Sequence, residues 1–513
     1  MKKILFSIFS ISALLATQSC KTDFDTDVKD IKVTNGDADF SKYISLGNSL
    51  TSGYRDNALY SDGQKESYPS MIAQQMKLAG GGDFKQPMMP NNSGGFTNLF
   101  NPTTGDFGGK YVLSVVNGAL TPGPTAPGAA LDNVTAGGPY QNMGVPGAKV
   151  AHLLAPGYGN PAGLATGTAN PYFTRFATTP QTSVIADFLA QKPTFFSLWI
   201  GNNDALLYAL SGADPSVETL TPPDQFKTYY NALIAQIAST KAKGVIANIP
   251  DVTTIPNLTT VPYNPLTASV LGKGDVAVGN ATIDQLNTSL YGPLAQILKA
   301  IGVGDRIQIL SKTAPNPLLI KDKNIPDVGQ AITYAAANSG NPTLAALATY
   351  LGATYGQARQ AKESDLIPLS TKNAIGTTQT LPPGIPATLG AKGIAYPFAD
   401  RYVLTAAEAT QVNAAITSYN ETIKAAAAAN GYAFVDANAK MKELASKSGI
   451  QWNGVKYTAT FVTGGAFSLD GVHLTGRGYA IIANEFIQKI NKQYKSTLPE
   501  VDPNKYSGVT FPN

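Results

Sequence analysis

Apolar and polar positions fall into blocks along the chain, and the blocks predict strands and helices in turn. Tyr43-Ile44-Ser45-Leu46 is a short β-prone run that stops at Gly47 and meets the polar segment Asn48-Ser49-Leu50-Thr51-Ser52-Gly53, a strand entering a turn. A helical stretch at about 183–190 leads through Pro193 into Thr194-Phe195-Phe196-Ser197-Leu198-Trp199-Ile200. Such a continuous apolar run is the mark of a strand buried on both faces. It gives way to Gly201-Asn202-Asn203-Asp204. Phe226, Tyr229, Leu233 and Ile237 recur at helical spacing, Gly244 stands where that helix should stop, and the next strand follows at 245–250. Over 405–429, Val412, Ile416, Tyr419 and Ile423 share one helical face, and Gly431 opens a strand at 432–436. A last helix, 476–494, buries Tyr479, Ile482, Phe486 and Ile490. Alternation of strand and helix predicts an α/β fold with a parallel sheet covered on both faces.

Two stretches break this rhythm. Residues 62–138 are rich in Gly, Pro, Asn and Thr with little periodicity, and 256–397 is irregular apart from helical patches at 281–301 and 343–350. Both read as insertions, at about 60–138 and 256–397, into one domain spanning 41–495, with 496–513 as a tail. Composition agrees: 513 residues, 43% hydrophobic and only 14% charged, with 49 Gly and 34 Pro, suit a large core connected by long loops. No repeat of fixed period is present. A net charge of +4, without basic runs interleaved with aromatics, excludes a nucleic-acid partner.

The one cysteine, Cys20, follows a basic start at Lys2-Lys3 and an apolar run from Ile4 to Ala16 that is too short to span a bilayer. This arrangement resembles a bacterial lipoprotein signal, residues 1–19, whose cysteine becomes the acylated first residue of the mature chain. Thr17 and Gln18 depart from the usual Leu and small residue before the cysteine, a looseness similar to lipoproteins of the Bacteroidetes type. Acidic residues Asp23, Asp25, Asp27 and Asp30 then read as a solvated tether over 20–40. The resemblance implies a lipid-anchored protein of the bacterial cell envelope, held at the outer membrane through Cys20.

Only two histidines, His152 and His473, are available as a catalytic base. His473 lies three residues after Asp470, just ahead of the last helix, where the carboxylate can accept the imidazole Nδ1 proton and leave Nε2 facing a nucleophile. Ser49 supplies one where the first strand gives way, and its own N–H can face a developing oxyanion. Asn203, at the end of the next strand, offers a side-chain amide, and open α/β sheets place their sites at those ends. Gly147, in Gly144-Val145-Pro146-Gly147, offers a further N–H with no side chain to obstruct a close substrate. His152 reads as structural. Two histidines and one acylated cysteine leave no usual zinc set, no phosphate loop is present, and Gly157-Tyr158-Gly159-Asn160 lacks the dinucleotide fingerprint, so no metal or cofactor is implied. Ser49 has no Gly-x-Ser-x-Gly elbow around it.

Taken in order, Gly47-Asn48-Ser49-Leu50, Gly144-Val145-Pro146-Gly147, Gly201-Asn202-Asn203-Asp204 and Asp470-Gly471-Val472-His473 resemble the four blocks of the SGNH, or GDSL, hydrolase family. The resemblance covers roughly 42–55, 140–152, 180–255 and 400–495. It implies a three-layer α/β/α, flavodoxin-like fold and a serine esterase or lipase acting on acyl-lipid or acetylated-glycan esters. Ser49, Asp470 and His473 would be its triad, and Ser49, Gly147 and Asn203 its oxyanion hole. Asn48 stands where the family name has Asp, and Leu474 where related sequences carry proline, a change expected to loosen the loop holding His473. The competing reading is a non-catalytic lipoprotein that keeps the fold to bind a glycan or lipid.

Overall fold

The computed structural model describes residues 32–116 and 118–512. The signal segment 1–19, Cys20 and the tether up to residue 31 lie outside the described residues. Five strands form the central sheet: β1 (Tyr43–Gly47), β2 (Asn142–Gly144), β3 (Phe195–Trp199), β4 (Lys243–Ala247) and β5 (Ala433–Val435). Their order is β2-β1-β3-β4-β5, and every neighbouring pair is parallel. That is the doubly wound order in which the chain starts at an inner strand, β1, and reverses beside it, leaving a crevice at the carboxyl ends.

Strand residues alternate between two cores, as a two-residue period requires. Ile44, Leu46, Phe196, Leu198 and Ile246 face helices α3 (Val150–Leu154), α4 (Val184–Ala190), α6 (Pro223–Ser239) and α7 (Ala406–Asn430). Tyr43, Phe195, Trp199, Val245 and Val435 face α2 (Tyr68–Leu78) and α8 (Gly476–Tyr494). The result is the expected α/β/α sandwich. α7 starts in a capping box, Thr405 and Glu408 satisfying each other's backbone N–H, and stops at Gly431 in the left-handed region. Val412, Ile416, Tyr419 and Ile423 are all buried on it, and Tyr479, Ile482, Phe486 and Ile490 on α8.

Several local expectations need correction. Ser49 begins a short helix, α1 (Ser49–Ser52), in place of a turn. On α6, Tyr230 is buried and Tyr229 is 38% exposed, because the buried phase runs Phe226, Tyr230, Leu233, Ile234, Ile237. Gly244 does not stop that helix, which ends in a left-handed turn at Lys241; it is a strand residue, and a Cβ there would lie 2.2 Å from the Phe196 ring. The stretch 62–138, read as loops and short strands, holds the antiparallel pair Tyr111–Val116 and Ala119–Pro124 but also helix α2, which buries Tyr68, Met71, Ile72 and Met76 and packs against α8. Within 256–397, helices Val276–Leu286 and Gly292–Ala300 are joined by a π-turn, and Gly329–Ala337 and Pro342–Tyr355 pack as a pair over a separate apolar core. Residues 498–506 lie along α8, with Asn484 and Asn491 bonded to the Val501 and Leu498 backbone. Among the described residues, no helix is long and apolar enough to cross a membrane.

Candidate active site

The carboxyl ends of β1 and β3 bring three of the singled-out segments together. Asn48 caps α1, its Oδ1 accepting from Leu50 N–H at 3.1 Å, and this sets Ser49 at the first helical position. Asn48 Nδ2 also donates to Asn202 Oδ1 at 3.2 Å. Asn203 opens helix α5 (Asn203–Leu210) and donates from Nδ2 to Ala148 O at 3.0 Å. Val145 N–H donates to Gly47 O at 3.0 Å, and Asp204 Oδ2 accepts from Val150 N–H at 3.0 Å. Each segment is therefore bonded to another. Burial drives the Asp204 carboxyl up to about 6, the Val150 N–H and Thr221 hydroxyl only partly opposing it.

Gly147 adopts φ +81°, a conformation most side chains avoid, and a Cβ there would meet only Asn170 Nδ2, at 3.9 Å. Asn170 fixes this turn by donating to Pro146 O at 2.8 Å. Among the described residues, neither Ser49 N–H nor Gly147 N–H donates to a protein acceptor, and only one N–H of the Asn203 amide is used.

Asp470 and His473 come from the loop before α8, more than four hundred residues downstream. His473 Nε2 lies 2.8 Å from Ser49 Oγ, and Nδ1 lies 2.9 Å from Asp470 Oδ2. A proton on Nδ1 satisfies both contacts, with the serine hydroxyl donating to Nε2. Asp470 Oδ1 accepts from the N–H groups of Val472 and His473, both at 2.8 Å, and from Ser468 Oγ at 3.1 Å; Oδ2 accepts from Asn57 N–H at 2.9 Å. Burial alone would raise this carboxyl, but the imidazole and the backbone donors outweigh it and hold it well below the usual range. The loop closes through Ser468 N–H to His473 O and Gly471 N–H to Ser468 O, bonds that do not involve residue 474, so its geometry is set without the proline.

Other residues at the site carry no sequence motif. The Tyr54 ring packs on the imidazole, centroids 4.7 Å apart, and is backed by Tyr172 and then Phe96. The first irregular stretch thus supplies part of an aromatic wall beside His473. Asn257, at the root of the second, donates its N–H to Gly471 O and Nδ2 to Asp470 O. An apolar cavity of about 80 Å³ is lined by Leu50, Phe467, Val472, Leu474 and Ile481, with neither Ser49 nor His473 among its lining residues. His152 stands apart: Nδ1 accepts from Lys149 N–H at 3.1 Å, the ring stacks on Tyr158, and burial lowers its pKa. Among the described residues, no group of three or more His, Cys, Asp or Glu side chains is placed to hold a metal ion.

Comparison with known families gives one match, to the model described as GDSL-like Lipase/Acylhydrolase, over residues 305–486. A domain of that family is therefore present over part of the chain, which supports a hydrolase of the GDSL type. The match takes in Asp470 and His473, leaves out Ser49, Gly147 and Asn203, and begins inside the second irregular stretch. Neither a curated protein nor a solved structure matches the chain.

Proposed function

We propose that the protein is a serine esterase that cleaves carboxylic esters through an acyl-enzyme, anchored in the bacterial cell envelope by an acylated Cys20. The observation that carries this reading is the unbroken relay from Ser49 Oγ through His473 to Asp470. In the first half, Ser49 Oγ bonds to the ester carbonyl carbon while its proton passes to His473 Nε2. The new oxyanion is stabilised by Ser49 N–H, Gly147 N–H and the Asn203 amide. The carbon–oxygen bond to the alcohol then breaks, and His473 returns the proton to the leaving oxygen. In the second half, water attacks the acyl carbon, gives a proton to His473 and releases the acid, and Ser49 Oγ regains its hydrogen. Asp470 keeps the imidazole in the tautomer that both halves need.

Acyl-lipids and acetylated glycans both provide carboxylic esters for this chemistry. The test compares the purified full-length chain with Ser49→Ala on p-nitrophenyl acetate, butyrate and longer esters, alongside labelling by a fluorophosphonate. Turnover and labelling that both vanish in Ser49→Ala are expected. A folded protein that neither turns over any ester nor labels would favour the binding lipoprotein instead.

A further inference from the structure

The segment after α1 contains a second carboxylate that the relay itself does not use. Asp56 and Asn57 both take left-handed backbone conformations, φ +52° and +61°, which Asp and Asn tolerate better than other non-glycine residues. This conformation turns two successive N–H groups toward the triad loop. Asp56 N–H donates to Ser468 Oγ at 2.9 Å, and Ser468 in turn donates to Asp470 Oδ1 at 3.1 Å. Asn57 N–H reaches Asp470 Oδ2 directly at 2.9 Å. The Asp56 side chain grips the same loop, Oδ1 accepting from Leu469 N–H at 3.0 Å. Its other oxygen is fixed by the Tyr60 hydroxyl at 2.6 Å, which itself accepts from Arg55 Nε at 2.6 Å, and Arg55 is paired with Glu66 at 2.8 Å.

We propose that Asp56 is a positioning residue of the relay: it clamps Ser468 and Leu469, the two residues before Asp470, and so sets the height at which that carboxylate meets His473. This inference rests on the esterase reading above. The physical need is clear from the covalent layout, because Asp470 and His473 share one loop while Ser49 sits on another element. Packing of α8 against the sheet brings that loop near Ser49, and a contact between the Ser49 side and the loop sets its final position. Asp56 and Asn57, seven and eight residues after Ser49, supply it, so the nucleophile and its orienting carboxylate are held by one rigid turn.

The test measures kcat, KM, fluorophosphonate labelling rate and thermal unfolding for the full chain carrying Asp56→Asn, Asp56→Ala, Ser468→Ala and the Asp56→Asn/Ser468→Ala pair. Asn keeps the left-handed backbone and an acceptor for Leu469, so it is the variant that folds most safely. A misplacement of the reacting groups costs about 100-fold, which is the loss of kcat expected for Asp56→Ala, with Asn intermediate at roughly 10-fold and KM within about twofold throughout. Labelling of Ser49 should slow in parallel. The pair should lose less than the product of its single effects, since both residues position the same loop. Turnover by wild type, with kcat of folded Asp56→Ala within about threefold of it, would overturn this inference alone. A wild type without turnover or labelling would overturn the esterase reading and this inference together.

Discussion

Replacing Asn203 by Ala separates what the amide does for the fold from what it does for the reaction. The side chain is 4% exposed and has two N–H groups. One donates to Ala148 O at 3.0 Å, tying the second sequence block to the third. The other has no acceptor among the described residues and is the group assigned to the oxyanion. Losing the first leaves a carbonyl without its partner, a cost of about 1 kcal/mol in unfolding free energy. Losing the second removes a donor that works only as charge develops, worth about 3 to 4 kcal/mol, or roughly 10² to 10³ in kcat. Urea unfolding reads the first number, and p-nitrophenyl acetate hydrolysis reads the second on the same preparation. The two losses should differ by a factor that no uniform destabilisation can produce. Asn203→Asp keeps the volume but sets a carboxylate against both Ala148 O and the oxyanion, so it should be worse on both axes. A kcat for Asn203→Ala within about threefold of wild type would refute the oxyanion role, whatever the unfolding curve showed.

Asp470→Asn should leave the loop bonds to Val472 and His473 in place while presenting an N–H to Nδ1, which forces the wrong tautomer; steady-state kinetics should show a fall in kcat of about three to four orders of magnitude, and a fall below tenfold would refute the relay. Asp204 bears on stability: with its carboxyl raised to about 6 in the native state, the unfolded chain ionises first as pH rises. Its contribution is therefore complete below about pH 4 and is lost as pH rises through about 6, by roughly 3 kcal/mol. Urea unfolding of wild type against Asp204→Asn from pH 4 to 7 should show a flatter profile in the variant, and parallel profiles would contradict the assignment. Gly244→Ala should lower the urea midpoint, because its Cβ would collide with the Phe196 ring; overpacking of this kind costs about 1 to 3 kcal/mol, and an unchanged midpoint would show that the ring can move aside.

The amino-acid pattern by itself determined four of the five sheet strands and helices α4, α6, α7 and α8, but not the edge strand β2. Runs such as Phe195–Trp199 are apolar at every position because parallel strands are buried on both faces, and the faces of α7 and α8 recur at a period the chain cannot disguise. The same local order marked Ser49, Gly147, Asn203, Asp470 and His473, since each stands at the end of a strand or just before a helix. Helix α2 escaped notice because its apolar residues are flanked by Gly, Pro and Asn, and only packing against α8 makes it part of the core. What tertiary structure alone decided is which distant residues meet. Asp56, Asn57, Asn257 and Tyr54 look like ordinary turn and loop residues in the chain. Their roles come from left-handed backbone angles and from the closing of α8 against the sheet, which brings a loop more than four hundred residues away to within hydrogen-bond distance of Ser49. Local periodicity encodes which face a side chain is on, but contacts of long sequence separation are fixed only when the cores on both faces of the sheet have formed.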